Sequence, residues 1–532
     1  MWQMTERRLT GRSASPGLAA GPVFVIGGPA PHRAPALLDE DGEAALRQAI
    51  DAALTDLVAL VAKVDEEGAD IIGFQIAMLE DEALSEGAFD AIAAGVSPTH
   101  AWRSALDAEI LDYEHSEDPY FQARGVDLAD IRDRVLAHLT GTAGPAHAPA
   151  GSILIGEEVA PSLFLSTDWS KGGGVALASG SPSSHVAMLA RSRGIPMVTG
   201  LGPLGMAEYA ILDGETGMVT LDPGPQALAG LAPALAASKQ ANAHAEELEA
   251  KPAFLSDGTR IEVMINIASP ADIKGCSPEI CDGIGLVRTE FLFEPGHPLP
   301  NEESQYAAYM AIAAWASGRP VTFRTLDAGG DKPVLGLTDA SESNPFLGLR
   351  GLRLSLARPE AFRVQLRALT RAAVHHDIRI MLPMVTVPSE FAEASALLDA
   401  VVAGLVREGT ACRRPPLGMM VEVPAAALGA LRFAADFYSI GSNDLTQYTM
   451  AAARDISTVA ALHDASNPAV LELMGRTVGA GRVRKVPVSI CGDAAADMRL
   501  VPQLLGLGLT SLSVPPAFVG RVKAAIESFA NV

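Results

Sequence analysis

Residues 178–200 read ASGSPSSHVAMLARSRGIPMVTG, a stretch in which a lone histidine sits where a loop becomes a helix. Ser183 and Ser184 are N-cap types, Val186 to Ser192 has helix-compatible composition, and Gly194 followed by Pro196 is a stop signal. His185 therefore opens a short helix. A helix start favours negative charge, so a phosphoryl group carried on this imidazole would be stabilised by the unpaired amides and the positive dipole end. The alternative reading is a partly buried histidine with a structural role. Short apolar strands at Ser152 to Ile155, Gly174 to Ala178, Met197 to Thr199 and Ala210 to Leu212 surround the helix, which predicts a compact α/β domain.

Working outward, residues 13–26 (SASPGLAAGPVFVI) give a turn and a β-branched strand that opens the same domain. From Asp41 the spacing changes. Ala44 to Val64, Ile71 to Ala94, Thr99 to Leu111 and Val126 to Leu139 carry apolar residues three and four apart, which predicts an inserted bundle of about four helices. The Pro/Ala/Gly-rich segment Gly141 to Gly151 ends the insertion, and Ala227 to Lys251 reads as an exposed connecting helix. Beyond it, strands recur at Ile261 to Ile267, Gly283 to Val287, Pro320 to Leu326, Ile378 to Pro383, Leu417 to Val423, Phe437 to Ile440, Pro487 to Ile490 and Ser511 to Val514, mostly separated by helical segments. That rhythm predicts a (β/α)8 TIM barrel. The expected domains are 1–30 with 144–226 (α/β), 31–143 (helical bundle), 227–254 (linker helix) and 255–532 (barrel).

A chain of 532 residues exceeds what one core holds, and 48% apolar against 19% charged residues suits an α/β enzyme. The formal charge of -23 argues against nucleic acid or an anionic membrane as the main ligand. No apolar run reaches bilayer length and the N-terminus lacks an apolar signal core, so the expected location is cytoplasmic, with no membrane insertion. Cys276, Cys281, Cys412 and Cys491 form no CxxC pair, so neither a zinc site nor a disulfide scaffold is indicated.

In a TIM barrel the reactive side chains sit at the carboxyl ends of the strands. Arg288 follows the second strand, Arg324 and Asp327 close the third, and Glu422 closes the fifth. Asn443 and Asp444 follow the sixth, Cys491 follows the seventh, and Arg350 and Arg454 lie in adjoining loops. Taken singly, each would be read as a surface or structural residue; their shared address is the signal. Several arginines suit a small substrate bearing carboxylate and phosphate. Glu422 and Asp444 suit Mg²⁺, which takes one or two carboxylates and leaves its other positions to water and substrate oxygens.

Longer motifs carry a family resemblance. Ser183-Ser184-His185 with its helix, residues 285–293 (GLVRTEFLF), 323–332 (FRTLDAGGDK), 344–350 (NPFLGLR), 419–426 (MMVEVPAA) and 437–450 (FYSIGSNDLTQYTM) resemble enzyme I of the bacterial sugar phosphotransferase system, over essentially the whole chain. The resemblance implies Mg²⁺-dependent transfer of the phosphoryl group of phosphoenolpyruvate to a histidine, then to a histidine of the small carrier HPr. It makes His185 the phosphorylated residue and Arg288, Arg324, Asn443, Asp444, Arg454 and Arg350 the substrate-binding set. Glu422 and Asp444 become the metal ligands, and Cys491 the acid that protonates the enolate. It further implies a swivelling phosphohistidine domain, carrier docking on the helical bundle, and a homodimer formed through the barrel. The α/β part is then expected to swing about junctions near Pro29, Gly141 to Gly151 and the connecting helix.

The chain departs from the family pattern at Ser181 and Pro182, at Ala160 in place of a threonine, at Ala453 and Asp455, and at Asp493. Two further readings are a phosphoenolpyruvate-binding regulatory paralogue without turnover and a dikinase-like enzyme of pyruvate metabolism. The second would add a nucleotide domain.

Overall fold

A computed structural model describes residues 6–26, 42–64, 66–114, 119–141, 148–180, 184–293, 298–330, 334–338, 342, 344–453, 459 and 462–530. Of the sequence readings, Pro29, Ser181, Pro182, Ser183, Arg454, Asp455 and most of Gly141 to Gly151 lie outside the described residues. The chain divides into two compact units, Met1–Lys239 and Gln240–Val532.

The first unit opens with β1 (Arg7–Thr10), β2 (Arg12–Ser15) and β3 (Leu18–Val25), then runs through the helices α1 (Gly42–Val61), α2 (Glu66–Glu80), α3 (Glu82–Ala93), α4 (Pro98–Glu114) and α5 (Pro119–Thr140). The expected single helix over Ile71 to Ala94 is two helices, so the bundle has five among the described residues. Asp81 breaks it: the residue is extended (φ -73, ψ 114) and its carboxylate accepts from the Ala83 amide at 3.0 Å, capping α3. The chain then returns to β4 (Ile153–Gly156), α6 (Pro161–Ser166), β5 (Gly174–Leu177), α7 (His185–Ser192), β6 (Met197–Thr199), β7 (Tyr209–Asp213) and β8 (Met218–Leu221). These strands form one sheet in the order β1-β8-β7-β3-β4-β5-β6-β2. β3 to β6 are parallel at its centre, where Val23 lies opposite Ile153 and Ile153 opposite Gly174.

Bundle and sheet share one hydrophobic core. Leu57, Ile72, Trp102 and Leu128 from the helices belong to the same buried cluster as Leu154, Phe164, Val175 and Leu189 from the α/β part. Each large apolar side chain buried in this way contributes about 1.5–3 kcal/mol. A polar seam crosses the junction. The Gln75 amide donates to Asp127 and Asp130 at 3.1 Å, and the Ser162 hydroxyl of α6 donates to Asp130 at 2.8 Å while accepting from Arg134 at 2.8 Å. A swing of the α/β part against the bundle has to open both.

Helix α8 (Pro225–Leu248) is mostly exposed, with Ala245 and Leu248 buried, and contains Pro233. In the second unit, the hairpin-like pair β9 (Ala253–Phe254) and β10 (Arg260–Ile267) comes first. There follow β11 (Ile284–Arg288), β12 (Val321–Arg324), β13 (Ile378–Leu382), β14 (Leu417–Val421), β15 (Tyr438–Gly441), β16 (Val488–Cys491) and β17 (Ser511–Val514). β10 pairs in parallel with both β11 and β17, which closes eight parallel strands into a barrel. All eight expected strands are present, with ends shifted by up to two residues.

The barrel helices pack by amphipathic spacing. In Pro359–Ala372, Phe362, Leu366 and Leu369 lie four and three apart and are buried in the barrel core. Among the described residues no helix is long and apolar enough to cross a membrane. Packing against the strands is tight at Gly418, where an added Cβ would stand 2.5 Å from ring atoms of Phe437. Gly418→Ala is expected to lower unfolding stability by about 1–3 kcal/mol through overpacking. A denaturant midpoint equal to that of the unsubstituted protein would contradict this.

Candidate active site

The barrel brings its strand ends together at one pocket. Arg288 and Arg324 are the last residues of β11 and β12, Glu422 comes directly after β14, and Cys491 ends β16. Asn443 and Asp444 follow the sixth strand, in the first turn of the helix Ser442–Met450. A carboxylate is favoured there by the helix dipole. Arg350 precedes Gly351, whose φ of 59° is a left-handed conformation suited to glycine, and an added Cβ would stand 2.9 Å from Met384. These seven residues line one open cleft of about 720 Å³, mouth included.

Burial and charge alternate around the cleft. Glu290 accepts from the Arg324 guanidinium at 2.8 Å, and Arg324 lies 3.2 Å from the Asp327 carboxylate. Asp327 also accepts from Arg350 Nε and Nη2 at 3.2 Å, and Arg350 reaches Asp444 at 3.0 and 3.2 Å. The run Glu290, Arg324, Asp327, Arg350, Asp444 is a chain of alternating charges in which Asp327 is fully buried. Burial alone would lower both arginine pKa values. The surrounding carboxylates, with Glu290 and Asp327 acting on Arg324 and Asp327 and Asp444 on Arg350, outweigh it and keep both groups charged.

Glu422 is pushed up by burial first, then by Asp444 and Asp327, with Arg324 and Arg350 opposing. Its Oε1 accepts from the Met384 amide at 2.6 Å. Glu422 and Asp444 line the same cleft from neighbouring strand ends, and two carboxylates so placed suit a divalent cation. Among the described residues no group of three or more His, Cys, Asp and Glu could hold a metal. Magnesium needs one or two protein carboxylates, so Glu422 and Asp444 fit it.

Asn443 accepts from the Asp493 amide at 2.8 Å through its side-chain oxygen, which leaves its NH₂ group as the donor to a ligand. Cys491 is buried beside Leu286, Met381, Met420 and Phe437, and burial pushes its thiol up to about 11. It is therefore protonated at neutral pH.

Tyr448 was missed by sequence reasoning. Its hydroxyl donates to the Phe346 carbonyl at 2.7 Å and accepts from Arg350 at 3.2 Å, which ties Arg350 to the loop before it. The signal was available, since Asp444 and Tyr448 are four apart on one helix and share a face. Glu290, within residues 285–293, is a second residue whose part in the site, pairing with Arg324, only the structure reveals.

His185 is in the first unit and opens α7, whose N-cap Ser184 accepts from the Ala187 amide at 3.2 Å. Ala160 N-caps α6 without a side-chain hydrogen bond.

Three segments of the chain match families of known proteins. The description "PEP-utilising enzyme, PEP-binding domain" matches residues 242–531, "PEP-utilising enzyme, mobile domain" residues 148–217, and "PEP-utilising enzyme, N-terminal" residues 10–124. The phosphoenolpyruvate-protein phosphotransferase of Bacillus sp. (strain S) is 35% identical over 99% of this chain and 94% of its own length. The chain belongs to the phosphoenolpyruvate-protein phosphotransferase family. A second member, from Haloferax volcanii, is 37% identical over 87% of this chain and 82% of its own. Arg288, Arg324, Arg350, Glu422, Asn443, Asp444 and Cys491 thus line a barrel pocket in the segment that matches the PEP-binding domain.

Proposed function

We propose that this protein is an enzyme I that moves the phosphoryl group of phosphoenolpyruvate to His185 and then to a histidine of an HPr-type phosphocarrier, the first step of a phosphotransferase system for sugar uptake. The observation that carries the reading is the convergence of Arg288, Arg324, Arg350, Glu422, Asn443, Asp444 and Cys491 on one cleft at the carboxyl ends of the barrel strands. Arg454 completes the proposed substrate-binding set.

In this scheme the arginines and the Asn443 amide hold the phosphate and carboxylate of the substrate. Their forks suit planar anions, and their charge offsets what builds up on the oxygens as the bond to phosphorus breaks. Glu422 and Asp444 would hold Mg²⁺, which supplies charge neutralisation of phosphate and enolate oxygens. The His185 nitrogen forms the new bond to phosphorus while the bond to the enolate oxygen breaks. Cys491 gives its proton to the enolate methylene, and pyruvate leaves.

The helix dipole of α7 supports a charged group at His185. The five-helix bundle is the proposed docking surface for the carrier, and the proposed domains are those read from the sequence. Exposed Leu428 and Leu431, at 62% and 54%, support a homodimer built on the barrel. The location proposed is cytoplasmic. Incubation with labelled phosphoenolpyruvate and Mg²⁺ is expected to leave acid-labile, base-stable label on the protein, and chelation of the metal to abolish it. Labelling that proceeds unchanged in excess chelator would overturn the metal part of the reading.

A further inference from the structure

Ser439 is a serine in the middle of a barrel strand, 1% exposed, on a neighbouring strand to Cys491. A hydroxyl taken out of water costs free energy unless it finds a partner, and alanine would fill such a position without that cost. Its partner is the Cys491 sulfur, to which the hydroxyl donates at 3.7 Å. The thiol in turn donates to the Ile440 carbonyl at 3.5 Å. The remaining neighbours of the sulfur in its cluster, Leu286, Met381, Met420 and Phe437, are apolar. Arg324 and Arg288 favour negative charge on the sulfur from a distance and Glu422 opposes it.

We propose that Ser439 is a positioning residue for proton delivery by Cys491: its hydroxyl fixes the sulfur rotamer and stabilises the thiolate that remains after the proton has left. The inference rests on the reading of Cys491 as the acid. In the step concerned, the S–H bond breaks, its proton forms the new C–H bond at the enolate methylene carbon, and the electron pair stays on sulfur. The thiolate recovers a proton from water once pyruvate has departed. Desolvated, the thiolate depends on whatever donor touches it, and a hydrogen bond to a charged group is among the stronger ones. Without that donor, the proton transfer becomes the slow step.

The test measures formation of pyruvate from phosphoenolpyruvate by the full-length protein in a single turnover, with Mg²⁺ present, in H₂O and in D₂O. For Ser439→Ala we expect the rate constant to fall on the order of ten- to a hundred-fold, with half-saturation by phosphoenolpyruvate within about two-fold of the unsubstituted protein. We also expect a larger solvent isotope effect, because proton transfer then limits the rate. A residue that only packs would not move the isotope effect. The pair Ser439→Thr and Ser439→Val has equal bulk with and without a hydroxyl, and supplies the same comparison if the alanine variant folds poorly. The threonine variant is expected to be the faster of the two by about ten-fold or more.

Cys491→Ser, run in parallel, separates the two ideas. Full activity in that variant would remove the acid assignment and this inference with it. Loss of activity there, together with an unchanged rate and isotope effect in Ser439→Ala, would overturn the role of Ser439 alone.

Discussion

His185→Ala will take no acid-labile label from phosphoenolpyruvate while still binding it at the barrel. Alanine cannot form the nitrogen–phosphorus bond, and the loss is complete because covalent transfer has no slower variant once its nucleophile is gone. The proposed substrate pocket belongs to the other compact unit, and each unit has its own core. Binding of phosphoenolpyruvate, followed by calorimetry, should therefore stay within about two-fold, since no pocket contact changes. Label at ordinary stoichiometry on the alanine variant would show that another residue accepts the phosphoryl group.

The second large effect is expected from Arg324→Lys, a change that keeps the charge. Arg324 is 5% exposed and meets Glu290 with one edge and Asp327 with another. A lysine ammonium is a single point donor and cannot bridge both carboxylates while presenting a fork to substrate. It would leave one buried carboxylate poorly compensated, and truncating a buried pair costs about 3–5 kcal/mol. We expect labelling to slow by about 10²- to 10³-fold, as when an oriented donor at the transition state is lost. Circular dichroism should show the barrel still folded. Turnover near that of the unsubstituted protein would exclude Arg324 from direct contact with substrate.

Swinging of the α/β part remains a proposal, and the first unit shows what it has to overcome. Its shared core includes Trp102 of α4 and Phe164 of α6, both fully buried, and the Ser162 to Asp130 bond crosses the junction. Motion at this junction exposes apolar surface unless the partner docked in the other state covers it.

Much of the protein was determined by local sequence. Strand and helix periods marked the eight barrel strands and the α/β part around His185, because backbone period and side-chain burial are coupled residue by residue. The strand-end rule then brought Arg324, Glu422 and Cys491 to one face of the barrel from positions 98 and 69 residues apart. Where a single side chain redirected the backbone, the periodic reading failed: Asp81 lies inside an apolar pattern that continues across it, and its cap divides one expected helix into two. Only the tertiary structure decided the pairings. That Asp327 bridges two arginines, that Tyr448 clamps Arg350, and that Ser439 donates to a sulfur on the next strand depends on barrel closure and strand register. On the strands, a shift of one residue would turn Ser439 and Cys491 to the opposite face. The sequence names the residues that can do chemistry, and the closed sheet selects their partners.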